Sequence, residues 1–463
     1  MAKKILVLLL GVFALMIAAE RMVLAELFTS TTCPYCVGGN ATLTSLLKTR
    51  EDYLAVVRFH MNWPSPGNDP FYHYNSGMNN NRRSFYGINA IPYLVVDGTV
   101  VGSSQGSWGS TIDTRSNKES PFDLNLYRDF TPFEFHQVQG EGSLLIEITN
   151  ETDNKRTFIL FGALTESNVH YTGTNGDPVH HQVVIGMLPD HLGTEITIEA
   201  NETLLLEREF DVNDTIPLTD GTDHIPDADS CELVFWCQNV GAMPKEILQA
   251  AKVKVTGQRE LLLSDIRVFD ASGDGVLSPG EQADVHVTVT NGSDEKMGNI
   301  HVFLEVDNEE ITVVDGRAVV EEIAAGGSYT VEGNDLVIEA SPDYDGSIFN
   351  FICRAGSGDG SMCTYTQPIS VEEGSPSSAP FSLRLPTIVR DKALAALSVP
   401  VVCDVELVLL DASGRLVRTL YAGSLSAGNH LIDIEVETLP AGAYFIRATA
   451  GRHKQVSKLV ILH

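Results

Sequence analysis

Apolar runs with polar turns between them organise the first part of the chain. Residues 23–28 and 54–59 are apolar at nearly every position, which is typical of strands buried on both faces. Residues 41–47 have a helical pattern, and residues 108–117 predict a closing helix. Residues 20–120 therefore predict a small α/β sandwich.

A hairpin belongs to the same predicted domain. Residues 91–96 continue through Asp97 and Gly98 into another short apolar run. An Asp-Gly pair between two strands is the signal for a type I′ turn, in which both residues have positive φ.

The rest of the chain has short strands separated by Gly, Asn and Asp. This pattern is typical of β-sandwiches. We expect a multidomain protein, α/β at its start and all-β afterwards, with three immunoglobulin-like (Ig-like) β-sandwich domains after the α/β sandwich. The predicted bounds of these domains are 121–256, 257–373 and 381–463, with a linker of Gly, Ser and Pro at 374–380.

The N-terminus has the pattern of a secretory signal peptide over residues 1–19. Lys3 and Lys4 precede an apolar run at 5–17, and small residues follow it. The run is shorter than the about 20 residues that span a bilayer. We expect a mature chain without a transmembrane segment, located outside the cytoplasm: secreted, on the cell surface or at the outer membrane.

The charge balance excludes one class of partner. The 463 residues include 31 Lys and Arg against 61 Asp and Glu, a formal net charge of −30. Such a surface repels phosphate backbones, so no nucleic-acid partner is expected. The seven cysteines suit an oxidising compartment.

The clearest chemistry lies in the motif Cys33-Pro34-Tyr35-Cys36. It lies between a predicted strand and a predicted helix, where the helix dipole and free backbone N–H groups stabilise a thiolate. Cys33 is the predicted attacking thiolate and Cys36 the resolving thiol, while Pro34 and Tyr35 tune the redox potential. A structural disulfide or a zinc half-site is the alternative, although there is no second Cys-x-x-Cys for a four-ligand zinc site.

This motif, followed by residues 90–93 (Ala-Ile-Pro-Tyr), resembles the thioredoxin fold. The resemblance implies a thioredoxin-like domain in which Pro92 is a cis-proline that faces the cysteines and shapes a substrate groove. Two features depart from that family. The position of its buried carboxylate aligns with Leu27, and Glu26 is expected to face the other side of the sheet. The Trp that commonly precedes the first Cys is replaced by Thr32.

A wider set of segments resembles the 28-kDa outer-membrane-protein (Omp) family: residues 24–29, 69–71, 86–87, 92–98, 180–184, 234–238 and 245–250. The resemblance covers residues 21–256. It implies a thioredoxin-like domain fused to a β-domain in a bacterial envelope or secreted protein, without a settled activity.

A loop at residues 270–281 matches the calcium-loop pattern, with oxygen ligands at alternating positions and a final Glu. Calcium is the one cofactor that the sequence suggests, since thiol chemistry requires none. The alternative is a hydrogen-bonded Asx turn. The predicted calcium ligands are Asp270, Ser272, Asp274, Val276 and Glu281.

The remaining cysteines suggest one further pairing. Cys353 and Cys363 flank a Gly-rich hairpin loop and are candidates for a structural disulfide. Cys231 and Cys237 share a strand face but would lie roughly 20 Å apart in an extended strand. Their partners, and that of Cys403, stay open.

The C-terminal segment resembles the sorting domain of type IX (Por) secretion, through residues 405–417, 427–430, 439–445 and 458–460. The usual opening Pro-Asn-Pro is replaced by residues 386–388. The resemblance implies that the type IX export machinery is a partner.

Two functions fit these observations. The first is an extracytoplasmic thiol–disulfide oxidoreductase that acts on protein thiols or disulfides or on an envelope redox partner. The second is a non-catalytic surface binding or structural protein with a vestigial thioredoxin fold, exported by type IX secretion. A reactive Cys33 with a low pKa would distinguish them.

Overall fold

The chain, described here from a computed structural model, divides into two compact units, Met1–Gln258 and Arg259–His463. The predicted signal peptide and linker lie outside the described residues. The structure describes residues 20–133, 136–239, 241, 245–257, 261–270, 277–332, 335–346, 349–369, 382–385, 388–389, 392–399, 403–412, 415–425, 428–435, 439–450 and 453–461.

The first unit combines helices and strands. The helices are α1 (Pro34–Lys48), α2 (Pro70–Tyr74), α3 (Ser76–Tyr86) and α4 (Trp108–Ser116), with 3-10 turns at Gln105–Ser107 and Ala228–Ser230. The strands are β1 (Val23–Thr29), β2 (Leu54–His60), β3 (Tyr93–Val96), β4 (Thr99–Gly102), β5 (Phe122–Phe133), β6 (His136–Asn150), β7 (Arg156–Glu166), β8 (Val169–His170), β9 (Val179–His180), β10 (Val183–Leu188), β11 (Thr194–Ile198), β12 (Thr203–Val212), β13 (Ile216–Pro217), β14 (Asp223–His224), β15 (Cys231–Asn239) and β16 (Ile247–Lys254).

Nine strands form the main sheet, in the order β16-β15-β7-β10-β2-β1-β3-β4, with β11 paired to β7. β1 is parallel to β2 and antiparallel to β3. Successive side chains of a strand point to opposite faces, and both faces of β1 are buried. Leu27 packs with residues of α1 and α4, whereas Phe28 packs with residues of α3 and β15.

The predicted boundary near residue 120 is not a boundary between separate sheets. β2 pairs in parallel with β10 through Arg58 and Val183, and the Arg58 backbone N–H donates to the Gln182 carbonyl at 2.8 Å. Residues 20–120 and 121–256, predicted as separate domains, therefore contribute strands to one sheet. The physical reason is that β2 is apolar on both faces and its second edge accepts another strand.

A second layer completes the first unit. β12, β6 and β5 form a three-stranded sheet. Its apolar residues, such as Ile146, share a core with Phe158 on β7 and Phe235 on β15.

In its described residues, the second unit contains strands and no helices. They are β17 (Leu261–Asp270), β18 (Gln282–Asn291), β19 (Met297–Val306), β20 (Ile311–Asp315), β21 (Arg317–Ile323), β22 (Ser328–Val331), β23 (Val337–Ala340), β24 (Phe349–Gly356), β25 (Met362–Ile369), β26 (Ser382–Arg384), β27 (Ile388–Val389), β28 (Lys392–Val399), β29 (Cys403–Asp411), β30 (Leu416–Leu425), β31 (Gly428–Glu435), β32 (Gly442–Ala450) and β33 (His453–Ile461).

These strands form two pairs of sheets. The sheets β17-β18-β23-β20, with β22 on β18, and β21-β19-β24-β25 enclose one core that includes Val285 and Phe351. The sheets β26-β28-β31 and β27-β33-β32-β29-β30 enclose another that includes Leu397 and Ile446. The all-β expectation for this half agrees with the structure.

Within the part of the chain that the structure describes, no helix combines the length and the apolar character needed to cross a bilayer.

Candidate redox site

The Cys-x-x-Cys motif spans the junction between β1 and α1. Cys33 is the N-cap residue of α1, with an extended backbone (φ −93°, ψ 113°), and Pro34 begins the helix. Proline suits this position because its missing N–H would have no partner within the helix. Cys33 is 4% exposed and Cys36 is fully buried, whereas Tyr35 is 80% exposed. The two sulfurs therefore lie just below a surface from which Tyr35 projects.

The two sulfurs have different electrostatic environments. The Cys36 thiol donates a hydrogen bond to Cys33 and, with the backbone N–H groups of Cys36 and Tyr35, lowers the pKa of Cys33 to about 6, although burial opposes this shift. The pKa of Cys36 is raised, because its proton is held in the hydrogen bond to Cys33 and because the thiol is buried. At neutral pH one sulfur is then a thiolate and the other a thiol.

Pro92 lies beside the cysteine pair. The Ile91–Pro92 peptide bond is cis, and the Ile91 carbonyl oxygen lies 3.9 Å from the Cys33 sulfur. On α1, Gly39 faces the Pro92 ring so closely that a Cβ at Gly39 would lie 2.9 Å from the Pro92 Cβ. The structure thus brings Pro92 together with the motif at the N-terminal end of α1.

A buried carboxylate supports the turn before Cys33. Asp69 accepts hydrogen bonds from the Thr31 backbone N–H at 2.7 Å and from the His60 ring at 2.8 Å. Burial alone would raise the pKa of Asp69, but His60 and the backbone donors outweigh it, so this pKa is lowered. Residues 69–71 entered the sequence analysis only through the resemblance to the Omp family, and His60 is the last residue of the apolar strand β2. No spacing in the sequence therefore marks the two side chains as partners.

The loop between β8 and β9, residues 171–178, also forms hydrogen bonds with the turn that precedes α1. The Asn175 side chain donates to the carbonyls of Ser30 at 3.1 Å and Cys33 at 3.3 Å, and its backbone N–H donates to the Thr31 carbonyl. Gly173 permits this approach, since a Cβ there would lie 2.2 Å from the Thr31 oxygen. A loop from residues beyond 121 is therefore part of the candidate site.

A chain of polar side chains runs from Cys36 to the same loop. The Thr29 hydroxyl is a hydrogen-bond partner of the Cys36 sulfur, and it donates to the Asn40 Oδ1 at 3.0 Å. The Asn40 Nδ2 in turn donates to the Asp177 carboxylate at 3.2 Å. Nothing in the sequence marks these three residues as neighbours.

Glu26 lies on the other face of β1 from Leu27, as strand alternation predicts. Its carboxylate accepts from the Arg82 Nε at 2.6 Å and from the Tyr86 hydroxyl at 2.5 Å. Arg82 also donates to Gln238 on β15 at 2.9 Å. Glu26 therefore belongs to a buried structural network, and α1 with its cysteines packs on the opposite face.

The predicted calcium loop is described only at its ends. Ser272, Asp274 and Val276 lie outside the described residues. Glu281, at the end of the loop, accepts a hydrogen bond from the Ser278 backbone N–H at 2.9 Å. The described residues contain no group of three His, Cys, Asp or Glu side chains placed to hold a metal ion. Calcium binding by Asp270–Glu281 stays a prediction.

The other cysteines are thiols where the structure describes them. Cys353 lies opposite Tyr365 and Cys363 opposite Ala355, so the two cysteines are diagonal neighbours on one face of the β24–β25 pair, and their disulfide stays a prediction. Cys231 is the first residue of one continuous strand, β15, and Cys237 lies six residues further along it. Burial raises the pKa of both thiols.

Residues 394–462 match the family described as the secretion system C-terminal sorting domain. This range covers most of the β26–β33 segment, where the resemblance to a type IX sorting domain had predicted it. The protein is therefore exported, as a cell-surface or secreted protein, and the type IX export machinery is one of its partners.

Among curated proteins, none matches this chain. Several solved structures are similar at low identity. HBP35 of Porphyromonas gingivalis is 15% identical over 75% of this chain and 98% of that chain, with a TM-score of 0.41. A protein of Agrobacterium tumefaciens is 14% identical over 52% of this chain and 98% of its own, with a TM-score of 0.30. Dimeric latent PorU of Porphyromonas gingivalis is 10% identical over 78% of this chain and 37% of its own, with a TM-score of 0.20. Similarities at this level do not assign a function.

Proposed function

We propose that this exported protein is a thiol–disulfide oxidoreductase with a thioredoxin-like site. The observation that carries the proposal is the unequal environment of the two sulfurs. The Cys33 sulfur has a pKa lowered to about 6 by the hydrogen bond from Cys36, and Cys36 is fully buried. An attacking sulfur must be a thiolate near neutral pH, and a resolving sulfur must wait as a thiol.

The reaction follows from these roles. The Cys33 thiolate attacks one sulfur of a substrate disulfide, whose S–S bond breaks, and the other substrate sulfur leaves as a thiolate. Cys36 then passes its proton to the substrate thiolate just released and attacks the Cys33 sulfur of the mixed disulfide. The second substrate thiolate leaves and a Cys33–Cys36 disulfide forms. The substrate disulfide gains two electrons and the cysteine pair loses two, and the reverse sequence oxidises a substrate dithiol.

The surroundings of the pair support a protein substrate. Tyr35 is exposed between the two cysteines in sequence, and the Ile91 carbonyl beside Cys33 is a backbone acceptor that an extended peptide could meet. Pro92 positions that carbonyl. Pro34 and Tyr35 remain the candidates for tuning the potential, since they determine the first turn of α1.

The deciding experiment is the reduction potential of the Cys33–Cys36 pair. The full mature chain is equilibrated in glutathione and dithiothreitol buffers, thiols are trapped, and the peptide that contains both cysteines is quantified by mass. A value between about −120 and −270 mV is expected, and its position in that range gives the preferred direction. Cys231 and Cys237, which are buried thiols of raised pKa, serve as internal controls that stay unmodified.

A value below about −300 mV, with Cys33 unreactive toward iodoacetamide, would mark a structural disulfide. It would overturn the proposal in favour of a non-catalytic surface binding or structural protein.

A further inference from the structure

Asn175 donates hydrogen bonds to three of the four carbonyl groups of residues 30–33, the turn that precedes α1. Its side-chain Nδ2 donates to the Ser30 oxygen at 3.1 Å and to the Cys33 oxygen at 3.3 Å, and its backbone N–H donates to the Thr31 oxygen at 3.1 Å. We propose that Asn175 is a positioning residue of the redox site, which holds Cys33 so that its sulfur faces the backbone N–H groups at the start of the helix. This inference rests on the proposed function and adds a residue to it.

The two carbonyls that share the Asn175 amide also accept the backbone hydrogen bonds that fix Cys33. The Ser30 oxygen accepts from the Cys33 N–H at 3.4 Å, and the Cys33 oxygen accepts from the Cys36 N–H at 3.1 Å. One amide group therefore acts on both the N–H side and the carbonyl side of Cys33. This constrains the extended backbone of Cys33 (φ −93°, ψ 113°), and with it the direction of the Cα–Cβ bond that carries the sulfur.

The hydrogen-bonding capacity of the Asn175 amide matches these partners. An amide nitrogen has two protons, and each has a carbonyl oxygen to meet. The amide oxygen accepts the Asp177 backbone N–H at 3.0 Å, so both ends of the amide are used and its orientation is determined. Ser30 is 1% exposed, and buried carbonyl groups are stabilised by the donors that they meet.

The direction of the Cys33 sulfur matters because a thiolate at a helix N-terminus is stabilised by backbone N–H groups. The pKa of Cys33 is lowered first by the Cys36 thiol and then by the backbone N–H groups of Cys36 and Tyr35. A turn without the Asn175 amide is free to rotate the sulfur away from these N–H groups. The thiolate then loses part of its stabilisation.

The turn has other partners that do not depend on Asn175. Asp69 accepts the Thr31 backbone N–H at 2.7 Å, and the Thr32 hydroxyl donates to the Trp63 carbonyl at 2.9 Å. These contacts remain when the Asn175 side chain is removed. We therefore expect Asn175→Ala to fold with a modestly lower melting temperature, and to differ from the parent chiefly at Cys33.

The test compares the full mature chain with Asn175→Ala in the reduced state. Cysteine labelled with carbon-13 at Cβ reports thiol and thiolate by NMR as the pH is raised, and the signal that is missing in Cys33→Ser identifies Cys33. We expect the Cys33 midpoint to rise by about one pH unit, a tenfold lower ratio of thiolate to thiol at a given pH. At pH 8 the reduced form is then about tenfold less stable relative to the disulfide, and the potential measured in glutathione buffers falls by about 30 mV.

Matched variants separate positioning from stability and from charge. Asn150, at the end of β6, also donates from its side chain to backbone carbonyls, at 2.7, 2.8 and 3.3 Å. Asn150→Ala should lower the melting temperature and leave the Cys33 midpoint unchanged. Asn175→Asp keeps an acceptor for the Asp177 N–H but turns a carboxylate oxygen toward the two carbonyls. It should raise the midpoint more than Thr174→Asp, which adds the same charge at an exposed neighbour.

The proposal is wrong if Asn175→Ala has the midpoint and the potential of the parent, whatever its melting temperature. It is also wrong if Thr174→Asp raises the midpoint as much as Asn175→Asp, and this second pair decides if Asn175→Ala is not recovered folded. Both tests are differences between two chains and need no turnover. The proposed function depends instead on the absolute potential of the parent, so a parent below about −300 mV would overturn that function, and the difference between the chains would still test the role of Asn175.

Discussion

Gly39 and Pro92 face each other with no room for a methyl group between them. A Cβ at Gly39 would lie 2.9 Å from the Pro92 Cβ and 3.4 Å from the Trp108 ring. Helix α1, which carries Cys36, is therefore packed directly against the segment that carries the carbonyl beside Cys33.

This contact predicts opposite effects for two adjacent substitutions. Gly39→Ala should lower the free energy of unfolding by about 1–3 kcal/mol, because overpacking shifts α1 away from Pro92, and it should slow thiol exchange. Gly38→Ala should raise the free energy of unfolding by up to about 1 kcal/mol, since alanine is the better helix former and its Cβ would meet only the Gln105 side chain at 3.6 Å. Urea denaturation of both variants measures the difference, and equal effects would contradict the packing argument.

The reactivity of Cys33 should depend on pH with a midpoint near the lowered pKa of about 6. Below it the sulfur is protonated and alkylation by iodoacetamide slows, because the thiolate is the nucleophile. Cys36→Ala removes the hydrogen bond that lowers the pKa of Cys33 and should move the midpoint upward by one unit or more. An unchanged midpoint in Cys36→Ala would show that the helix terminus alone sets the pKa.

The lowered pKa of Cys33 also makes the stability of the folded, reduced protein depend on pH. The pKa of Cys33 is lower in the folded chain than its ordinary value of 9.0. The thiolate therefore stabilises the reduced protein fully above pH 9.0, and this contribution is lost as the pH falls through about 6. Urea midpoints of the reduced chain and of Cys33→Ser, compared between these pH values, should converge toward low pH.

The Glu26–Arg82 ion pair predicts a large loss of stability when one partner is neutralised. Both side chains are at most 1% exposed, so Glu26→Gln leaves a buried guanidinium without its charge partner and should cost about 3–5 kcal/mol. The control is Glu199→Gln, whose partner Lys155 is 58% exposed, and its expected cost is below about 1 kcal/mol. Similar losses in both variants would show that the Arg82 charge is not effectively desolvated.

Deletion of the sorting segment should change where the protein is located without preventing the first unit from folding. Deletion of residues 381–463, which include the matched range 394–462, should retain the protein inside the cell envelope. The full chain with Cys33→Ser and Cys36→Ser should reach the exterior normally. Fractionation and immunoblotting of both strains measure this, and unchanged export of the deleted chain would rule out a sorting role.

Local sequence patterns were sufficient to predict the secondary-structure elements around the Cys-x-x-Cys motif. Asp97 and Gly98 have φ of 46° and 71°, which is the type I′ geometry that an Asp-Gly pair predicts. The strand before Cys33, Val23–Thr29, lies where the apolar run 23–28 places it. The helix after it, Pro34–Lys48, includes the predicted run 41–47 but begins seven residues earlier. These features depend on neighbours in sequence, so the sequence contains their signal.

The parts that depend on distant pairing could not be predicted. β2 and β10 are both apolar, and nothing in either strand specifies the other as its partner. Arg82 lies in a polar stretch, yet its side chain is buried with Glu26, because packing of α3 on the sheet decides its environment. Asp177 reaches Asn40 for the same reason, since only the tertiary structure brings its loop to α1.

Residues before and after position 120 share one hydrophobic core in the first unit, and this limits how the chain can be divided in protein engineering. Phe28 and Val57 pack in one cluster with Phe161 and Trp236, so a fragment that ends near residue 120 would expose apolar surface and leave one edge of β2 unpaired, a template for aggregation. The smallest piece that can be exchanged between proteins with the candidate redox site intact is therefore the whole unit that ends at Gln258. A chimera joined there should melt in one cooperative transition for that unit, whereas one joined at 120 should be recovered as aggregate.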